Sequence, residues 1–341
     1  MQPIAFFYPQ GHEAHARPGH EEQPERVESI RTALQQAGYW ENGLRVYTEA
    51  LPVAVLQAVH REQMLETVRR ACEMEANLDA DTYTNKASWQ LALNAAGGAA
   101  ALARAVWRRE ADTGFALTRP PGHHATPTQA MGFCLLNNAA LAAESLIQQE
   151  NAKHIAIIDM DVHHGNGTQD IFYARGDVMY ISTHQSPFYP GTGMLDERGR
   201  GAGEGTTANM PLPAYSGDGA FGQAYGEIVP SLLDRFGPEM ILVSLGFDSH
   251  WKDPLASLLV SARGYGEAIG ALRAWAQKNC DGRISLLLEG GYDLEAIAAC
   301  GVAATQALLG EEIIDTLGPV PQGESKDWVP VLNQVKEIWD L

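Results

Sequence analysis

The sequence predicts an α/β fold built on a central, mainly parallel sheet, in a single domain over residues 1–341. Three observations carry that expectation. Short β-rich apolar runs alternate with helical patterns almost from end to end, the sequence signature of strand–helix–strand units. Several of those runs are apolar at every position, as parallel strands covered on both faces must be. No low-complexity linker or internal repeat divides the 341 residues, a length that large α/β folds reach as one unit.

In chain order, IAFFY (4–8) is the first strand, followed by a helical pattern over 24–38, PERVESIRTALQQAG. An alanine-rich helix over 88–110 leads into GFALT (114–118), and a helix over 137–150 leads into HIAIID (154–159). VMYIS (178–182) is the next strand, and Thr183 to Leu212 then reads as one long glycine-rich loop of the kind that borders a pocket. FGQAYGEIVPSLLDRF (221–236) has helical spacing, but Pro230 demands a kink or a late start. MILVSLG (240–246), a helix over 264–278, ISLLLEG (284–290) and a helix over 293–310 complete the alternation.

Cys72, Cys134, Cys280 and Cys300 are scattered with no CxxC pair, which argues against a disulfide framework or a zinc finger and fits a reducing compartment. The start, MQPIAFFYPQGHEAH, has no basic stretch followed by an apolar core, so no signal peptide is expected. No apolar run approaches the ~20 residues of a membrane span. A soluble, cytoplasmic protein is expected, with no membrane partner and with a homo-oligomer left open. The 42 acidic and 24 basic residues give a formal charge of −18, which repels phosphate backbones and speaks against nucleic acid. It mildly favours cationic substrates.

In an open parallel sheet, ligands bind beyond the carboxyl ends of the strands. Four such ends carry unusual residues. GFALT runs into RPPGHHA with His123 and His124; HIAII runs into DMDVHHGNG; MILVSLG runs into FDSH with Asp248; ISLLLEGG runs into Tyr292. If 159–164 is extended, Asp159, Asp161 and His163 face one way while Met160, Val162 and His164 face the other. A carboxylate and an imidazole two residues apart can chelate one metal ion, and a third ligand from another loop would complete a catalytic site; Asp248 is the natural candidate. Two oxygens and one nitrogen suit Zn²⁺, with Fe²⁺, Co²⁺ or Mn²⁺ also accepted. The pair His123–His124 offers a general base, with Asp159 able to hold one imidazole and Asn166 the other. Tyr292, after Gly290 and Gly291, can stabilise a developing oxyanion. Such a set is what metal-assisted amide hydrolysis requires.

These stretches, RPPGHHA (119–125), MGFCLLNN (131–138), DMDVHHGNGTQD (159–170), FYPGTG (188–193), GFDSHWKDPL (246–255) and LEGGYD (288–293), resemble the histone deacetylase superfamily on its class II side. The likeness runs from about HARPGHEEQPER (15–26) to residue 310 and implies an arginase-like three-layer α/β/α fold. It implies Asp161, His163 and Asp248 as zinc ligands, His124 as general base and acid, His123 as its electrostatic partner and Tyr292 as the carbonyl-polarising residue. It also implies a structural potassium ion held by Asp159 and Ser182 with carbonyls of Asp161, His163 and Thr183. Asn166 stands where some members have aspartate, which leaves its imidazole less basic, while His164 is expected to pack.

By the same resemblance Gly132, Phe133 and Tyr189, with Leu255, Gly290 and Gly291, would line a narrow tunnel for an acylated lysine or similar chain. Acetylpolyamine amidohydrolases resemble the chain around HHGNGTQDIFYARGDV, but many carry an insertion before DTY that CEMEANLDADTYTNK (72–86) lacks. Leu255, where polyamine-preferring relatives can carry glutamate, does not select a second amine. Acyl-lysine in peptides or proteins is therefore the expected substrate, acetylpolyamine or another small acylated amine the alternative, and a non-catalytic acyl-binding protein the reading from a different class.

Overall fold

In the computed structural model, which describes residues 4–341, eight strands form one sheet. The first three residues of the expected domain lie outside the described residues. The strands are β1 (Ala5–Phe7), β2 (Leu44–Val46), β3 (Thr113–Ala116), β4 (Ile155–Asp159), β5 (Val178–Gln185), β6 (Thr207–Leu212), β7 (Met240–Leu245) and β8 (Ile284–Leu288). Their order is β2-β1-β3-β8-β7-β4-β5-β6, and every pairing is parallel. Every residue of β4, β7 and β8 is buried, which is why those runs are apolar throughout.

Alternate side chains feed two separate cores. Ala156 and Ile158 pack with Val27, Ile30, Leu272 and Ala304 from the helices Glu25–Gln36, Ala262–Asn279 and Leu294–Leu309. Ile155 and Ile157 pack on the other face with Val68, Ala96, Leu102 and Ala140 from the helices Glu62–Met74, Ser88–Trp107 and Asn138–Glu150. The result is a three-layer α/β/α fold. Among the described residues no helix is long and apolar enough to cross a membrane.

Two strands lie where none was expected. β2 is a three-residue, half-exposed edge with Arg45 at its centre, too short to leave a pattern. β6, TANMPL, contains Asn209 and Pro211 and carries no continuous apolar run, yet it pairs with β5 from Tyr180 to Gln185. The loop expected from Thr183 to Leu212 is thus corrected to a shorter one over 186–206, since β5 runs on through buried polar residues to Gln185. At Pro230 the helix does not start late: Asp218–Gln223 runs without a break through a π-helical turn, Ala224–Ile228, into Val229–Phe236, and that wide turn accommodates the proline inside the helical run.

The four strands whose ends carry the unusual residues are adjacent at the centre of the sheet, in the order β3-β8-β7-β4. Their register is level: Ala116 aligns with Leu287, Leu287 with Ser244, and Ser244 with Asp159. Four loops therefore leave the sheet at one height and meet.

Candidate active site

β4 ends at Asp159, and the following residues are held by hydrogen bonds from the neighbouring strand ends. Asp161 Oδ2 accepts from the Gly290 N–H at 2.8 Å, and Asp248 Oδ1 accepts from the Val162 N–H at 2.9 Å. Those bonds lock the loops after β4, β7 and β8 together. They bring His163 Nδ1 to 3.1 Å from Asp161 Oδ1 and 3.3 Å from Asp248 Oδ2. The second of these oxygens is buried and accepts no hydrogen bond among the described residues.

Glycines make the room. A Cβ on Gly290 would lie 2.1 Å from Asp248 Oδ2, and one on Gly246 would lie 2.0 Å from Asp161 Oδ2. Burial alone would depress His163, but its hydrogen bond to Asp161 and the charges of Asp248 and Asp161 outweigh it and raise the imidazole to about 9. The cluster therefore demands a positive charge at this point. One nitrogen, two carboxylates and an orphaned buried oxygen fit a divalent cation of the zinc type.

Two further imidazoles stand beside the cluster, their ring centres 4.0 Å apart. His123 Nδ1 is 3.1 Å from Asp159 Oδ2, and His124 Nδ1 is 2.8 Å from Asn166 Oδ1. Burial pulls His123 down, but Asp161 and Asp159 overcome it and raise it to about 10. His124 is held well below the usual histidine range, by burial first and then by the charges of His123 and His163. Beneath them Glu289 accepts from the N–H groups of Gly122 (2.6 Å) and His123 (3.2 Å) and from Ser244 Oγ (3.1 Å). Burial pushes this carboxyl up to about 7.

Tyr292 closes the opposite side. Its N–H donates to Asp253 Oδ2 at 2.7 Å, and the next residue, Asp293, caps the helix Leu294–Leu309. The buried Arg26 guanidinium lies 4.8 Å from the centre of its ring. Arg26 donates to the Gly291 carbonyl at 2.6 Å and to that of Glu289, while Glu22 pairs with both Arg26 (3.1 Å) and Arg119 (2.7 Å).

A cavity of about 580 Å³ opens on this cluster, with His123, His124, His163 and Tyr292 in its wall. Gly132, Phe133, Tyr189, Leu255 and Gly290 line it as well, while Gly291 does not. Gly291 instead makes the turn behind the wall, at φ 110°, with its carbonyl on Arg26. Gly132 must be glycine, since φ is 56° and a Cβ would lie 2.5 Å from the His124 ring. Asp79 and Asp81 add carboxylates to the wall; Asp79 Oδ2 accepts from the Gly132 N–H at 3.3 Å.

Asp159 pairs in register with Ser182, so the two oxygen donors expected for a second cation are neighbours. The Thr183 hydroxyl contacts Tyr225 OH at 2.7 Å, and the Ser182 hydroxyl contacts His184 Nδ1 at 2.9 Å. His164 is buried and uses both nitrogens on protein partners, Thr192 Oγ1 at 2.7 Å and Gln169 Oε1 at 3.1 Å. Glu289, Asp253, Arg26, Glu22 and the acids Asp79 and Asp81 carry no expectation from the sequence. Glu289 alone left a signal, as a charge ending an apolar strand.

The histone deacetylase domain matches residues 20–308. A probable deacetylase of Archaeoglobus fulgidus is 41% identical over 280 residues, covering 82% of this chain and 78% of that protein. The chloroplastic histone deacetylase 14 of Arabidopsis thaliana is 45% identical over 236 residues, 68% of this chain and 56% of its own length. A histone deacetylase-like amidohydrolase of Pseudomonas aeruginosa is 36% identical over 300 residues, 86% of this chain and 78% of that one. The crystal structure of the HDA15 HD domain superposes with a TM-score of 0.89 at 36% identity, covering 99% of this chain and 96% of that one. With the arginase-like sheet and the loops described above, the chain belongs to the histone deacetylase family of amide hydrolases.

Proposed function

We propose that the protein is a zinc-dependent deacetylase that hydrolyses the amide of acetyl-lysine, or another acyl-lysine, in peptides or proteins to a free amine and acetate. The observation that carries this reading is the cluster of Asp161, His163 and Asp248, whose His163 lines one cavity together with His124 and Tyr292. The three ligands would hold Zn²⁺, or Fe²⁺ or Co²⁺ in its place. When bound, the metal supplies Lewis-acid activation of water and of the amide carbonyl.

The remaining chemistry falls to the chain. His124, with Nδ1–H donated to Asn166 Oδ1, presents a neutral Nε2 that takes a proton from the attacking water and returns it to the departing amine. His123, its proton directed at Asp159, stays charged beside the reaction and favours the negative charge that develops there. Tyr292 is kept as a phenol by burial and donates to the carbonyl oxygen. Phe133 and Tyr189 flank the acyl-bearing chain and exclude water. Asp159 and Ser182, with carbonyls of Asp161, His163 and Thr183, would hold a structural K⁺. The four free, buried cysteines suit a reducing, cytoplasmic setting.

A second reading, an acetylpolyamine or other small acylated-amine amidohydrolase, is favoured by Asp79 and Asp81 in the cavity wall and opposed by the apolar Leu255. Turnover of acetyl-lysine peptides, longer acyl-lysines and acetylated polyamines, measured side by side, separates the two. Higher kcat/KM on the peptides supports the first reading, and higher kcat/KM on the polyamines overturns it.

A further inference from the structure

A second group of metal-ligand side chains lies where β1 leads into the first helix, outside the cavity. We propose that His12, Glu13 and Glu28, with the Tyr8 hydroxyl, form a site for one divalent ion of the Zn²⁺ or Co²⁺ type that ties the N-terminal turn to the helix Glu25–Gln36. His12 and Glu13 sit on the single turn His12–Ala14, and Glu28 faces them from that helix. The donor atoms of His12, Glu13 and Glu28 lie within 4.8 Å of one another.

The spacing is that of a coordination shell. Tyr8 OH is 3.2 Å from His12 Nε2 and 3.2 Å from Glu13 Oε1; His12 Nε2 is 3.4 Å from Glu28 Oε1 and 3.8 Å from Glu13 Oε1. Tyr8 OH also contacts Glu28 Oε1. Tetrahedral metal bonds of about 2.0–2.2 Å put the ligand atoms about 3.3–3.6 Å apart. His12 and the two glutamates already stand at about that spacing, whereas Tyr8 OH and Glu28 Oε1, now in direct hydrogen-bond contact, must separate to admit an ion.

Protein groups alone leave the cluster, with its two carboxylates Glu13 and Glu28, short of positive charge. Arg31 compensates a single carboxylate, through Glu28 Oε2 at 2.6 Å, and leaves Oε1 to the cluster. Arg119, the other nearby cation, is spent on the His12 carbonyl (2.7 Å) and on Glu22 (2.7 Å). The His12 side chain is fully buried with its Nε2 aimed into the group, while Nδ1 has no partner among the described residues. Burial alone holds the ring, with Nε2 as the nitrogen that faces the carboxylates. One nitrogen with oxygens selects a transition ion over Ca²⁺ or Mg²⁺, which favour all-oxygen shells. A groove of about 520 Å³ that includes Glu13 and Glu28 gives an ion its way in. Glu28 is two residues beyond Arg26, so an ion here would brace the helix that sets Arg26 against Tyr292.

The test counts ions in Asp248→Ala, the variant that empties the catalytic site on the reading above, after dialysis against Zn²⁺ or Co²⁺. One ion per chain is expected, falling to none when Glu13→Gln and Glu28→Gln are added. No ion in Asp248→Ala overturns the second site and leaves the catalytic reading intact. One ion that survives the added substitutions overturns the second site and relocates the ion. Should Asp248→Ala fail to fold, the wild-type chain is compared with Glu13→Gln/Glu28→Gln. Two ions against one, with a smaller zinc-dependent rise in Tm in the variant, is the expected result; equal counts overturn the proposal.

Discussion

His123 and His124 are consecutive, both buried, with ring centres 4.0 Å apart, yet their surroundings drive them to opposite protonation states. Burial depresses both and so cannot cause the difference. Behind His123 stands Asp159, with Asp161 close by at 3.8 Å; behind His124 stands the neutral amide of Asn166. A carboxylate stabilises imidazolium, whereas a carboxamide only orients a neutral ring. Asp161 and Asp159 thus make one of two adjacent imidazoles a fixed cation, while burial and the charges of His123 and His163, with a neutral partner in Asn166, leave the other a proton acceptor.

The largest break in this comparison is removal of the acceptor. His124→Ala is expected to lower kcat/KM by about 10²–10⁴ while the metal is retained, because general acid–base catalysis is lost and no ligand is. Loss of the metal in that variant would show that His124 is a ligand. Next, Tyr292→Phe should cost about 10²–10³ in kcat, the usual effect of one oxyanion donor, with metal content unchanged. An unaltered kcat removes Tyr292 from the chemistry and leaves carbonyl polarisation to another group.

Smaller effects come from the partners themselves. Asp159→Asn gives His123 a partner like that of His124, and the loss of a charged outer partner is expected to lower activity about 10–100-fold. The smallest change is the most diagnostic. His124 acts only when neutral, so its depressed pKa places the acid limb of kcat/KM below the ordinary histidine value of 6.5. Any cation held by Asp161, His163 and Asp248 pushes it the same way. Asn166→Asp adds a negative charge at Nδ1, raises the pKa and should move that limb upward by about one unit. A limb at or above 6.5 in the wild-type chain, or one that Asn166→Asp leaves in place, would remove His124 as the base.

The contrast also separates what could be read in the sequence from what could not. Apolar runs that end abruptly in His, Asp or Tyr marked β3, β4, β7 and β8, because polar groups at buried strand ends are costly without partners. That Asp159 could hold one imidazole and Asn166 the other could be posed from residue type alone, and the loops settle which, bringing Asp159 to His123 and Asn166 to His124. The braces could not be posed. Arg26 meets Gly291 and Glu289 from more than 260 positions away, and Asp253 reaches Tyr292 across 39, so no local pattern records them. β2 and β6 stayed hidden for a different reason. They lie at the two edges of the sheet, where a short or polar strand can hold its place without an apolar run.

The most direct measurement follows acetate release from an acetyl-lysine peptide before chelation, after removal of metal, and after return of one equivalent of Zn²⁺. Activity that disappears on chelation and recovers with zinc, together with one ion lost from the pocket in Asp248→Ala, is the expected result. Hydrolysis that continues undiminished in protein stripped of metal, or a metal-replete chain that releases no acetate from any acylated amine, would contradict it.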